Sequence, residues 1–214
     1  MATDYTSLVT EITNYAIRAG DVTFIAMIPT FISYAEVAFT RQLRIRQMEQ
    51  VATVSLSATD SNGYLALPTD YLEFRSVVVL SNPISTLDYV TPQKMRMLES
   101  QSAVGGSTPA YFTVIGNQMK FYPNPGTSST LYADVVYYAK PAALGSTNAT
   151  NNILAAYPDL YLHGSLLQAY TWAKDASGIQ LEAQAVSAII ADIKKADVRA
   201  EYPGLTAITT DVTY

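Results

Sequence analysis

His163 is the only histidine in the 214-residue chain and its only side chain whose ordinary pKa lies near neutrality. A lone imidazole excludes every metal arrangement built on two histidines and leaves one candidate general base. Asp159 precedes it by one helical turn and could orient it. A hydrolytic triad also needs a nucleophile, and here the sequence is poor. It has no cysteine, and no serine stands in the Gly-x-Ser-x-Gly setting of a nucleophile elbow. His163 is therefore expected to be structural. Asp70 and Glu73 are close enough in sequence to suggest the acid and base of a glycoside hydrolase, but with Pro68 and Thr69 before them they are expected in a solvated turn.

The remaining motifs fail on chemical grounds. Asp60, Asn62 and Gly63 resemble a fragment of a calcium loop, but the residues after them, from Tyr64 through Ala66, lack the oxygen ligands and terminal Glu that such a loop requires. Gly105-Gly106 has neither the dinucleotide nor the phosphate-loop pattern, and no Gly-Lys-Ser/Thr follows. The Asn148-Ala149-Thr150 sequon matters only in a secretory pathway. The sequence thus predicts no catalytic, cofactor-binding or metal-ligating residue, no cofactor and no enzyme. Its one concentrated basic cluster is Arg41, Arg44 and Arg46, suited either to a helix C-terminus or to an acidic partner.

Composition points toward surfaces rather than sites. Thirteen Lys and Arg against eighteen Asp and Glu give a net charge of -5, which disfavours a purely electrostatic hold on nucleic acid. Only 14% of residues are charged, while Tyr numbers sixteen. Between Ser100 and Pro158 the charges are Lys120, Asp134 and Lys140 alone. Such a stretch either presents a neutral polar skin or buries faces against partners, since interface centres favour aromatics and shed charge. The first thirty residues show no export signal, and Ser, Thr, Asn and Gln interrupt each oily run, so no membrane span is expected and the chain reads as soluble.

Periodicity supplies the elements that would carry these residues. Tyr5, Leu8, Ile12 and Tyr15 share one helical face, with Gly20 as a stop. Asp21 opens a short segment, and Pro29 reads as the restart of a longer helix toward Gln50. Residues 51–58 and 64–67 alternate around Asp60-Ser61-Asn62-Gly63, predicting a hairpin. Further strands are expected at 74–80, at 111–115 and 118–122 around Gly116-Asn117, and at 131–139, with a short helix from Thr91-Pro92 to Ser100. A third long helix carries Leu160, His163, Gly164, Leu167 and Tyr170; Ser177-Gly178 separates it from a fourth, marked by Ile179, Ala183, Val186, Ile190 and Ile193. Neither terminal helix pair can bury a stable core alone. The predicted fold is therefore α+β: a discontinuous four-helix bundle from 1–50 and 153–202, an inserted antiparallel β-domain at 51–152, and an extended tail at 203–214.

Several segments look familiar together. They are Thr40-Arg41-Gln42-Leu43-Arg44, Leu67-Pro68-Thr69-Asp70-Tyr71-Leu72, Gly106, and Pro109-Ala110-Tyr111-Phe112-Thr113-Val114-Ile115-Gly116. After these come Met119-Lys120-Phe121-Tyr122-Pro123-Asn124-Pro125, Val136-Tyr137-Tyr138-Ala139, Thr147-Asn148, Asn151-Asn152-Ile153-Leu154 and Tyr157-Pro158-Asp159-Leu160-Tyr161-Leu162-His163-Gly164-Ser165-Leu166. In order and spacing the series resembles the head-to-tail adaptor proteins of tailed, especially short-tailed, bacteriophages.

The resemblance spans about residues 5 to 200 and departs from the family at His163 and in the neutral loop from Gly145 to Asn152. It implies a homo-oligomeric, twelve-subunit ring at the head-tail junction of a virion, assembled in the host cytoplasm. Such a ring would contact the portal protein and a tail (nozzle or tail-tube) protein and pass genomic DNA through its lumen. Arg41, Arg44 and Arg46 would then line the lumen or a subunit boundary, and Tyr202, Leu205, Ile208, Val212 and Tyr214 would contact portal or tail. Two other readings remain at this point: a carbohydrate-binding β-module that stacks sugars on tyrosines, and a glycoside hydrolase using Asp70 and Glu73.

Overall fold

A computed structural model describes residues 2–101 and 108–201. The fold is mixed α+β, and the chain divides into two compact units, residues 1–47 with 141–214, and residues 48–140.

The first unit is helical. Helix α1 spans Tyr5–Tyr15 and starts at a reciprocal cap, in which the Ser7 amide donates to the Asp4 carboxylate at 2.8 Å and the Asp4 amide donates to Ser7 Oγ at 3.0 Å. Its inward residues are Leu8 and Ile12. Helix α2 spans Val22–Gln42, with Asp21 as its N-cap. It does not restart at Pro29. The proline removes one interior hydrogen bond, but Phe24, Ile28, Phe31, Ile32, Ala35 and Phe39 form one buried stripe through it, which holds the helix continuous. Nor does α2 reach Gln50. Leu43 turns extended, at φ -101° and ψ 137°, so Leu43 and Ile45 enter the core from a non-helical segment.

Helix α2 is also long and apolar enough to cross a membrane, which corrects the expectation that no window approaches that length. Thr23, Thr30 and Ser33 do not offset the surrounding Ile, Phe, Val and Ala residues. Its buried stripe packs within the protein, on α1 and on the helix Pro158–Ala173.

Helix α4 spans Asn152–Ala156, α5 spans Pro158–Ala173 and α6 spans Ala176–Glu201. Their order of packing is α1 on α2 and α5, α2 on α5, and α5 on α6. The break between α5 and α6 falls at Lys174 and Asp175, before Ser177-Gly178. Lys174 adopts a left-handed φ of 58°, and the Asp175 carboxylate accepts from the amides of Ser177 and Gly178 at 3.1 and 3.2 Å. The two glycines on these helices allow close approach. A Cβ on Gly164 would stand 2.4 Å from Phe39 Cζ on α2, and one on Gly178 would stand 2.6 Å from Tyr170 Cγ on α5.

The second unit holds two four-stranded sheets. The strands are β1 (Glu49–Ser55), β2 (Tyr64–Ala66), β3 (Tyr71–Val79), β4 (Ser85–Thr86), β5 (Asp88–Tyr89), β6 (Tyr111–Ile115), β7 (Gln118–Tyr122) and β8 (Tyr132–Ala139); helix α3 (Pro92–Gln101) follows β5. One sheet runs β1-β8-β3-β4 and the other β2-β7-β6-β5. Both feed one core, which includes Val77, Val79, Phe112, Phe121, Val135 and Tyr137. On β8 the core residues Ala133, Val135, Tyr137 and Ala139 alternate with outward positions, the period of a half-buried strand.

The predicted hairpin of 51–58 with 64–67 does not form. β1 pairs with β8 and β2 with β7, in different sheets. The turn between them forms as expected. Asp60 accepts from the amides of Asn62 and Tyr64 at 2.8 and 2.9 Å, and Gly63 takes a φ of 80° that a side chain would strain. The β6–β7 hairpin pairs in register from Tyr111–Tyr122 to Ile115–Gln118. β5 runs parallel to β6, so the β-unit is antiparallel-rich rather than wholly antiparallel.

Candidate functional site

The groups with catalytic potential are occupied by structural contacts. His163 on α5 does not rely on Asp159: its Nδ1 lies 2.7 Å from Glu182 Oε2 on α6. Glu182 is 6% exposed and occupies the inward face with Val186, Ile190 and Ile193, a position sequence reasoning had given to Ala183. Ala183 is exposed. A charged residue on an apolar helical face needs a polar partner, and that rule would have paired Glu182 with the only histidine. The contact bridges two helices and presents no nucleophile.

Asp60 uses its carboxylate on its own turn, and the described residues contain no cluster of acidic, His or Cys groups able to hold a metal ion. Asp70 Oδ1 accepts from the Tyr137 hydroxyl at 3.1 Å, while Glu73 points outward from β3. Burial, and then the Asp70 carboxylate, raise the Tyr137 pKa. Phe74 stacks on Tyr89 with centroids 4.9 Å apart, and both meet the edge of Phe112 at 5.0 and 5.7 Å. These rings pack on one another, with Tyr89 still exposed.

The arginine cluster divides by role. Arg44 lies past the end of α2 and donates through Nη1 to the carbonyls of Thr40 and Leu43, at 2.7 and 2.6 Å, closing the helix C-terminus. Asp197 on α6 accepts the Arg46 amide at 3.0 Å and lies 3.6 Å from its Nε. Arg41 is exposed on the last turn of α2. Tyr202, Leu205, Ile208, Val212 and Tyr214, together with Gly105 and Gly106, lie outside the described residues.

Two of the three charges between Ser100 and Pro158 are committed internally. Lys120 on β7 forms an ion pair with Glu99 on α3 and lies 4.8 Å from the centre of the Tyr64 ring. Asp134 accepts from Thr53 at 2.6 Å, whereas Lys140 is exposed. Of these three charges only Lys120 is buried, so the surface of this stretch carries Asp134 and Lys140 alone. The helical unit in turn exposes large apolar residues, among them Val22, Tyr34 and Val37 on α2 and Leu181 on α6.

The loop at 141–151 is tied to the helices through a polar knot. Glu36 Oε1 accepts from the Leu144 amide at 2.9 Å and from the Tyr161 hydroxyl at 3.2 Å, while Asn151 Nδ2 donates to that hydroxyl at 2.8 Å. Burial first, and then the Glu36 charge, push the Tyr161 pKa far up, so its hydroxyl keeps its proton.

The titratable groups described above are thus engaged mostly within the fold, while the buried Gln47 Oε1, Thr113 Oγ1 and Ser165 Oγ accept or donate no hydrogen bond among the described residues. A family model described as SU10 adaptor protein matches residues 3–209, nearly the full length. The chain belongs to the SU10 adaptor protein family. This agrees with the phage adaptor resemblance of its sequence motifs, and it covers the helical and β-rich units alike. The comparison with curated proteins finds no match.

Proposed function

We propose that this protein is a structural head-to-tail adaptor, a ring between the portal and the tail of a bacteriophage virion whose lumen passes DNA. The observation that carries the reading is the family match over residues 3–209.

In this proposal α1, α2, α5 and α6 form a four-helix bundle interrupted in sequence by the β-domain, and the ring contains twelve subunits. A closed ring uses heterologous contacts, with one face of each subunit meeting a different face of the next. Neutral β-surface and the exposed apolar positions of α2 suit such contacts, because desolvating them costs less than desolvating charge. Arg41 and Arg46 supply exposed basic positions, repeated in each subunit.

Electron microscopy of the protein mixed with purified portal tests this directly. The expected result is a ring seated coaxially on the portal. A monomer that ignores portal at micromolar concentrations of both would refute the proposal.

A further inference from the structure

The four sheet edges of the β-unit are unequal. β2, β4 and β5 are two or three residues long, whereas β1 is a seven-residue edge strand. Its pairing with β8 runs without a register shift from Glu49–Tyr138 to Ser55–Tyr132. Among the described residues its backbone pairing is with β8 alone. The usual guards against edge pairing are missing: β1 has no proline, lysine or bulge, and its one charge, Glu49, is paired with Arg75. Ala52 and Val54 pack on the core yet remain half-buried, while Gln50, Val51 and Thr53 are exposed. A strand added here would complete both the backbone pairing and the cover over that end of the core.

The chain carries a segment suited to the task. Thirteen residues, 202–214, lie beyond the described part of α6, and Pro203-Gly204 separates the last ten from the helical sequence. Six of those ten, Thr206, Ile208, Thr209, Thr210, Val212 and Thr213, are β-branched, and Asp211 is the only charge. At strand spacing, Ile208, Val212 and Tyr214 fall on one side and Thr209, Asp211 and Thr213 on the other. Fully extended, ten residues reach about 33 Å, more than the roughly 23 Å that seven strand residues cover.

We infer that the segment from Leu205 to Tyr214 of one copy adds as a strand to the free edge of β1 in a second copy. Ile208, Val212 and Tyr214, with Thr206 and Thr210 on the same side, then extend the side formed by Ala52 and Val54, and Thr209, Asp211 and Thr213 continue the exposed row of Val51 and Thr53. Main-chain hydrogen bonds supply the affinity, and the alternating side chains set register. This gives the tail a landing place other than the portal contact that the family resemblance implies.

The cysteine-free chain allows a direct test. Two full-length single-cysteine chains, Val51→Cys and Thr209→Cys, are given tags of different mass, mixed and oxidised. The expected product is a disulfide-linked heterodimer, lost when Thr210→Pro is added to the second chain, with hydrogen exchange at residues 49–55 slowed in wild type and fast in the proline variant. A cross-link confined to a single chain carrying both cysteines would overturn the inference. So would absence of heterodimer, whether the chains co-elute as an oligomer or remain monomeric, and so would identical exchange at 49–55 in wild type and Thr210→Pro. Portal binding by both chains, followed by microscopy, separates this question from the adaptor reading: a ring on the portal without the cross-link removes only the strand exchange.

Discussion

Tyr161 joins three parts of the helical unit through one oxygen, donating to Glu36 and accepting from Asn151. Phe at this position keeps the ring and its edge contact with Phe39 but leaves both partners one bond short. Each partner retains another bond, Glu36 to the Leu144 amide and Asn151 to the Ala142 carbonyl, so Tyr161→Phe should cost about 1–2 kcal/mol in urea unfolding with an unchanged slope. A second prediction at this scale concerns acid. Backbone hydrogen bonds from Ser7 and Phe24 hold Asp4 and Asp21 below the usual carboxylate range, and the Ser177 hydroxyl does the same for Asp175. Groups with depressed folded-state pKa values stabilise above their unfolded value, about 4, and lose that contribution as pH falls through the lower folded value. The unfolding temperature should therefore fall as pH drops below about 4. The triple variant D4N/D21N/D175N, which keeps capping side chains, should show a shallower fall in melts across that range. His163 could be read from sequence as structural because no nucleophile accompanied it. Its partner could not be read as easily: a heptad pattern emphasises the apolar positions of α6 and passes over Glu182, the charged residue on its inward face.

The helices show why some element boundaries were legible and others were not. Pro29 suggested a restart, but the stripe from Phe24 to Phe39 is a longer-range signal and prevails over one lost hydrogen bond. Ser177-Gly178 marked the right neighbourhood for the wrong reason, since Lys174 and Asp175 make the break and Gly178 admits the Tyr170 ring. In the β-unit, short-range pairing around Gly116-Asn117 was readable, whereas the partner of β1 lies some eighty residues away in sequence and no local pattern specifies it. Gly164 gives the sharpest test at this scale. A methyl group there would meet Phe39, which is buried and packed edge-on against Tyr161, so the ring has little room to yield. Gly164→Ala should cost about 1–3 kcal/mol despite the better helix propensity of alanine, and Phe39→Leu in the same chain should recover part of it. Equal stability of G164A and wild type by thermal melt would show that α2 and α5 separate without strain.

For the whole molecule, the question is which charges remain to act between subunits once the fold has used its own. Each chain carries -5 overall, so a lumen that meets DNA must depend on local placement rather than net charge. Arg44 closes α2 and Arg46, though exposed, lies beside Asp197, which leaves Arg41 as the exposed member on the α2 surface with no described ion pair. The three arginines should therefore respond differently. Arg44→Ala should lower stability by about 0.5–1.5 kcal/mol through the uncapped carbonyls. Arg41→Glu breaks no described contact and should lower stability only modestly, by about 0.5–1 kcal/mol, the cost of placing an anion in the last turn of α2. In a ring the same change recurs in every subunit, so its effect on association or on DNA should be large at low salt and shrink as screening increases. Sedimentation velocity and DNA binding, each across a NaCl titration, would measure this. A salt-sensitive defect in R41E, with R44A defective in stability alone, would locate the functional charge at Arg41. If R41E, and R41E combined with Arg46→Glu, assembled on the portal and met DNA as wild type does at every salt concentration, the cluster would have no part in assembly and the contacts would rest on neutral and apolar faces.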